Sequence, residues 1–274
     1  MVSRCVFGGP SLRSKKLFAG LAFAATLAPA LVTACGAAAQ SLDELVAKHI
    51  AARGGMAAIK AIDTLKMTGT MRPGGFDVQL TYNETIARPG TVRIDATLQN
   101  LTVVQAYDGK DGWQIQPFQG RKDPEALSSD DTKTLQEEAD FEGPLIDARA
   151  KGATLENLGS VDIAGAPTYA IRATLRNGDQ MTYYLDPTAM LTVRVETRQL
   201  VRGAETLTDT DYGDYETVNG VYFPFEIATG PKGATDLQRI TYDKIVANTP
   251  VDPTIYARPA APPAASSKSA GAKP

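Results

Sequence analysis

The sequence predicts a mainly β protein of the α+β kind. It reads as a strongly curved antiparallel sheet of about ten or eleven strands, with an N-terminal helix and a helical lid. Three observations predict it. From Thr64 onward apolar and polar residues alternate with a period of two, the pattern of strands with one apolar and one wet face. Turn signals recur between these runs at hairpin spacing. The β pattern breaks only once, over residues 121–152.

The elements follow in order. Residues 11–16, SLRSKK, form a basic stretch, and an apolar run extends from Leu17 to Val32. At about 16 residues the run is short of the roughly 20 that span a membrane and suits an export signal. Residues 1–39 are therefore expected to be a signal peptide. Two processing sites compete. Val32-Thr33-Ala34-Cys35 has the form of a lipobox, which would make Cys35 a lipidated first residue. Ala37-Ala38-Ala39 would instead release a soluble chain beginning at Gln40.

Ser41 with Glu44 three residues on forms a capping box, and Leu42, Leu45, Val46, His49 and Ile50 share the face of the helix that follows. Gly54 and Gly55 stop it, and a short helical turn is expected near Met56 to Ile62. Strands then alternate over 64–72, 76–82, 92–98, 101–107 and 113–118. In the interruption, Ser128-Ser129-Asp130-Asp131 starts a helix with acidic residues in its first turn, and Leu135 and Ala139 share a face. Strands resume over 155–163, 169–175, 181–185, 191–200, 206–218, 221–228 and 237–247, with turns at Asn177-Gly178, Asp186-Pro187, Arg202-Gly203, Asn219-Gly220 and Pro231-Lys232-Gly233. Residues 258–274, rich in Ala, Pro, Ser and Lys, read as a disordered tail.

Composition excludes several functions. The four basic residues before position 36 face no acidic ones there, which leaves 24 basic against 31 acidic residues beyond, a net of −7. Such a body is not suited to nucleic acid or to anionic lipid by charge alone. Membrane contact is expected only through a lipidated Cys35. The two cysteines, Cys5 and Cys35, both lie in the leader, so the body has no disulfide, thiolate nucleophile or cysteine metal site. His49, the one histidine, lies on an apolar helix face and reads as packing. Asp108-Gly109-Lys110-Asp111-Gly112 places Lys and Gly where a calcium loop needs oxygen ligands, and reads as a hairpin turn. Asp209, Asp211 and Asp214 are likewise misplaced for such a loop. No nucleophile elbow, phosphate loop or dinucleotide fingerprint occurs. No catalytic residue, metal or cofactor is expected.

What remains is the apolar face. Met67, Met71, Phe76, Leu80, Tyr82, Ile94, Leu98, Trp113 and Ile115 supply large, adaptable surface suited to a flexible apolar ligand. The 121–152 interruption is the natural lid. The Thr- and Asp-rich stretch 205–216 is the best hint of a surface for an envelope protein partner.

Ala52-Arg53-Gly54-Gly55, Tyr107-Asp108-Gly109-Lys110-Asp111-Gly112-Trp113, Phe141-Glu142-Gly143-Pro144-Leu145, Tyr184-Leu185-Asp186-Pro187 and Asn219-Gly220-Val221-Tyr222-Phe223-Pro224 occur in that order around the helical interruption. Through them residues 41–257 resemble the LolA/LolB-like superfamily, which includes outer-membrane lipoprotein-sorting proteins of bacteria. The resemblance implies an unclosed β-barrel with a helical lid over an apolar cavity. It implies binding of lipid or lipoprotein acyl chains in the periplasm, by a soluble carrier or by an acceptor anchored to the outer membrane. Relatives of the same fold that sense envelope stress imply a protein partner as the alternative.

Overall fold

A computed structural model describes residues 40–260. The expected signal over 1–39, Cys35 with it, and tail residues 261–274 lie outside the described residues.

Helix α1 (Leu42–Ala52) begins at the capping box: Ser41 Oγ accepts the Glu44 N–H, and the Glu44 carboxylate accepts the Ser41 N–H at 2.8 Å. Gly54 and Gly55 turn the chain with φ of 118° and 87°, and α2 (Met56–Lys60) follows. Six strands come next: β1 (Thr64–Arg72), β2 (Leu80–Ala87), β3 (Thr91–Leu98), β4 (Leu101–Tyr107), β5 (Gly112–Gln116) and β6 (Arg121–Ala126). Then come α3 (Ser129–Glu138) and α4 (Ala148–Lys151). Seven strands complete the sheet: β7 (Thr154–Ile163), β8 (Ala166–Thr174), β9 (Gln180–Leu185), β10 (Thr192–Val201), β11 (Ala204–Val218), β12 (Val221–Pro231) and β13 (Gln238–Ala247).

All thirteen strands belong to one antiparallel sheet in the order β6-β5-β4-β3-β2-β1-β13-β12-β11-β10-β9-β8-β7. Two meanders are joined where β1 pairs with β13. β6 and β7 are the two edges and do not pair, so the barrel is unclosed. This order explains the lid. β6 and β7 are consecutive in sequence but at opposite ends of the sheet, so the chain between them must cross the opening, and α3 and α4 lie on that crossing. Edge β6 carries Pro124, which lacks the N–H that would invite another strand.

The thirteen strands of the described residues exceed the ten or eleven expected; the twelve runs named from the alternation all fall on strands, and the thirteenth is β6. β6, with the sequence RKDPEA, has no apolar alternation to reveal it. The interruption in the β pattern therefore begins at Leu127 rather than at residue 121. The strand expected over 76–82 starts only at Leu80, because residues 73–79 form an open loop in which Phe76 is 71 % exposed.

The largest core cluster joins the inner faces of β1–β4 and β11–β13 to Ile59, Ile62, Leu135, Ala139 and Ile146 of the helical segments. A second places Leu45 of α1 against Ile171, Ala173, Leu185 and Met190. The third, Val104, Ala106 and Trp113 with Ile115 against it, lies on the outer face.

Candidate functional site

Strand register defines the inner face. Directly paired residues share a face, so Ile245, Met67, Glu84, Ile94 and Gln105 form one cross-strand row. Tyr242, Gly69, Tyr82, Ala96 and Val103 form the next. Tyr212, Ile227, Ile240, Met71 and Leu80 form a third. Gly69 leaves a gap between two tyrosines, whose ring centroids stand 6.1 Å apart across it. A Cβ there would lie 2.0 Å from the Thr241 carbonyl oxygen.

Most of these residues are buried. Met71, Ile94, Leu98, Val103 and Ile227 pack against the core yet remain only partly buried. Arg53, Tyr183 and Tyr212 are half-buried and Glu138 is exposed, although burial is the largest influence on the ionisation of each. Groups that are surrounded by protein and still have accessible surface line a hollow. The hollow lies between the inner face and α3, whose Leu135 and Ala139 belong to the core under the lid.

Within it stands a polar group that breaks the apolar face. Glu84 is 1 % exposed. Its Oε2 accepts the hydroxyls of Tyr82 at 3.1 Å and Tyr242 at 2.8 Å. Burial, and then the Glu138 carboxylate, push its carboxyl well above the ordinary range. Burial pushes Glu138 up as well. Just before it on α3, Glu137 accepts from Gln199 at 3.0 Å and is pushed up to about 7 by burial and by Asp179.

The lid connection is clamped at its middle. Lys60 and Arg88 hydrogen-bond the Glu142 carboxylate, and Lys151 lies 3.3 Å from it. Burial alone would raise its pKa, but these cations outweigh burial and hold it at about 2. Arg88 also sits over the Phe141 ring, 4.8 Å from its centroid. Arg53 donates to the carbonyls of Phe141 and Glu142, and its own carbonyl accepts the Tyr222 N–H at 2.9 Å. The segments Ala52–Gly55, Phe141–Leu145 and Asn219–Pro224, far apart in sequence, thus meet at one place. His49 is buried beside them, with Nδ1 2.9 Å from the Met190 carbonyl, and burial lowers its pKa to about 4.

The nine apolar candidates divide. Met67, Met71, Leu80, Tyr82, Ile94 and Leu98 share the inner face and belong to or pack against its core. Trp113 and Ile115 stand on the outer face, in register with Ala106 and Val104. Trp113 is buried there because the turn Pro253–Ile255 folds over it: its Nε1 donates to the Tyr256 carbonyl at 2.7 Å, and Arg93 reaches the Ile255 carbonyl. Phe76 is on the open loop. Sequence reasoning missed Glu84 and Glu138, although each left a signal. Glu84 falls in phase with Leu80, Tyr82 and Ile86, and Glu138 follows Leu135 by three on α3.

Three other features are set apart from the hollow. A groove of about 780 Å³ runs along α1 beside α4 and edge strand β7, lined by Leu42, Val46, Ile50, Leu145 and Leu155. Asp211 is hydrogen-bonded by the Arg194 guanidinium, with Asp209 3.9 Å away. Asp108 is a turn-former whose Oδ1 accepts the N–H groups of Lys110 and Asp111.

No protein-family model and no curated protein matches the chain. Solved structures do. A LolA superfamily protein from Nitrosomonas europaea superposes with a TM-score of 0.55 at 13% identity, over 80% of this chain and 98% of that one. A DUF1329 family protein from Desulfovibrio piger gives 0.54 at 8% identity, over 78% and 96%. A putative outer membrane lipoprotein-sorting protein domain from Vibrio parahaemolyticus gives 0.51 at 9%, over 76% and 93%. At these identities the likeness is one of fold: an unclosed antiparallel barrel with helices across its opening, the LolA-like fold.

Proposed function

We propose that the protein is a binding protein of the bacterial envelope, not an enzyme, and carries or accepts lipid or lipoprotein acyl chains in the hollow under α3. One observation carries this reading: Met71, Ile94, Leu98, Val103 and Ile227 keep accessible apolar surface on the inner face of a sheet that does not close. Accessible apolar surface inside a protein is unfavourable until a ligand covers it. Met67, Leu80 and Tyr82 form the wall behind these residues. The similar structures include one described as a lipoprotein-sorting domain, which supports the same ligand class. Residues 41–257 would be the carrier domain. Residues 1–39 would direct export to the periplasm, with the product either soluble or held at the outer membrane through Cys35.

The test is organic extraction and mass spectrometry of the protein purified from an envelope fraction without detergent. Near-stoichiometric acyl lipid or lipoprotein fragments are expected, and Ile94→Glu is expected to remove them while the fold persists. Ligand-free protein that instead recovers a stoichiometric protein partner would replace this reading with that of an envelope scaffold. The Thr- and Asp-rich strand β11 gives the scaffold reading little support, since Arg194 already engages its Asp211.

A further inference from the structure

Glu84 on β2 stands on the inner face that packs with α3, and the carboxylate of Glu138 on that helix is, after burial, the largest influence raising the Glu84 pKa. Glu84 is buried, and while its Oε2 accepts from two tyrosines, its Oε1 has no hydrogen-bond partner. Glu138 keeps exposed surface. Two neighbouring carboxyls, one of them out of water, resist ionising together unless a positive charge lies beside them. Among the described residues, the cations on and beside the lid segment are engaged elsewhere. Arg53 is committed to the Phe141 and Glu142 carbonyls, Lys60, Arg88 and Lys151 to Glu142, and Lys133 to Asp179. With no cation beside them, the upward push on both carboxyls favours a shared proton.

The surroundings also suit a cation. The Tyr82 and Tyr242 hydroxyls meet at the Glu84 carboxyl, and their ring centroids stand 6.1 Å apart. Aromatic faces beside carboxylates attract ammonium groups. An ammonium has several donors and no acceptor, which matches an unpartnered carboxyl oxygen opposite a second carboxyl.

Resting on the carrier reading above, we propose that Glu84 and Glu138 form a head-group subsite, which takes the primary ammonium of an otherwise apolar ligand in place of their shared proton. The chain of such a ligand lies along Met71, Ile94 and Leu98, and its nitrogen reaches Glu84 Oε1 and the Glu138 carboxylate. The displaced proton leaves to solvent.

The experiment compares two chains of equal length on delipidated protein at pH 7. Dodecylamine and dodecanol compete for the cavity against an environment-sensitive apolar dye. The amine is expected to bind about tenfold more tightly than the alcohol, the scale of one charge-assisted hydrogen bond. In the Glu84→Gln/Glu138→Gln double variant that preference is expected to vanish while alcohol binding stays, which also shows that the variant is folded. Equal binding of amine and alcohol to the wild type would overturn the subsite and leave the carrier reading standing. An amine preference that survives the double substitution would do the same. Failure of both chains to displace the dye would overturn the carrier reading, and the subsite with it.

Discussion

Arg53 donates from Nη1 to the Glu142 carbonyl at 2.6 Å and from Nη2 to the Phe141 carbonyl at 3.1 Å, so the residue that ends α1 also holds the chain crossing the barrel opening. The guanidinium fork spans two successive carbonyls, a geometry that a lysine cannot reproduce. Arg53→Lys and Arg53→Ala are both expected to lower stability, the latter by about 1.5–3 kcal/mol, as for hydrogen bonds from a charged group. Hydrogen exchange should quicken first over residues 129–147. Uniform quickening across the sheet would show that Arg53 does not act on the lid in particular.

Glu142 is the anionic counterpart of that anchor. Its pKa is depressed to about 2 in the folded protein against 4.5 ordinarily. A depressed carboxyl contributes stability above its unfolded pKa and loses it as pH falls through the folded value. Glu142→Gln is therefore expected to be less stable than the wild type at pH 7 by about 3 kcal/mol. This is the low end for a broken buried pair, because Lys60, Arg88 and Lys151 remain partly in water. The gap should close between pH 4.5 and 2. Denaturant titrations across that range would measure it.

His49 works in a neighbouring window. Burial lowers its pKa to about 4 from 6.5, so below pH 6.5 the unfolded chain binds a proton that the folded chain refuses. Stability should fall as pH drops from 6.5 towards 4, by about 3 kcal/mol in full. His49→Gln keeps a donor for the Met190 carbonyl. Its thermal midpoint should be less sensitive to pH across that window, and an unchanged slope would assign the dependence to other groups.

Gly54 and Gly55 both have positive φ but unequal surroundings. A Cβ on Gly54 would lie 2.0 Å from the Gly220 carbonyl oxygen, whereas one on Gly55 meets nothing within 4 Å. Gly55→Ala is expected to cost about 1–3 kcal/mol of backbone strain, since φ 87° with ψ 157° is a region open essentially to glycine. Gly54→Ala must also push apart the α1 end and the β11–β12 turn and should cost clearly more. Equal midpoints in urea would contradict this.

Trp113 and Ile94 separate stability from binding. Trp113→Ala is expected to cost about 3–5 kcal/mol, as for other buried aromatic truncations. Ligand content should be unchanged, since Trp113 packs under Tyr256 on the outer face. Ile94→Glu should do the reverse. Lipid loss in Trp113→Ala at a temperature where that variant remains folded would place the ligand on the other side of the sheet.

Sequence by itself determined what depends on near neighbours. Ser41 and Glu44 started α1 because a capping box needs only its own four residues. Gly54 and Gly55 ended it because few other residues adopt their φ. The hairpin turns and the two-residue period appeared for the same reason, and they were enough to predict a large curved sheet. β6 escaped because an edge strand stabilised by backbone pairing needs no apolar face. Tertiary structure alone decided which face turned inward. A period of two separates Ile94 from Arg93 and Trp113 from Gln114, but it does not say that a turn at Pro253–Ile255 will cover Trp113 while a helix covers Ile94. It also decided that β1 would pair with β13, which sends β6 and β7 to opposite edges and forces the intervening chain across the opening. That crossing brings Glu138 to Glu84. Their mutual influence depends on two side chains 54 residues apart in the sequence, and no local pattern records it.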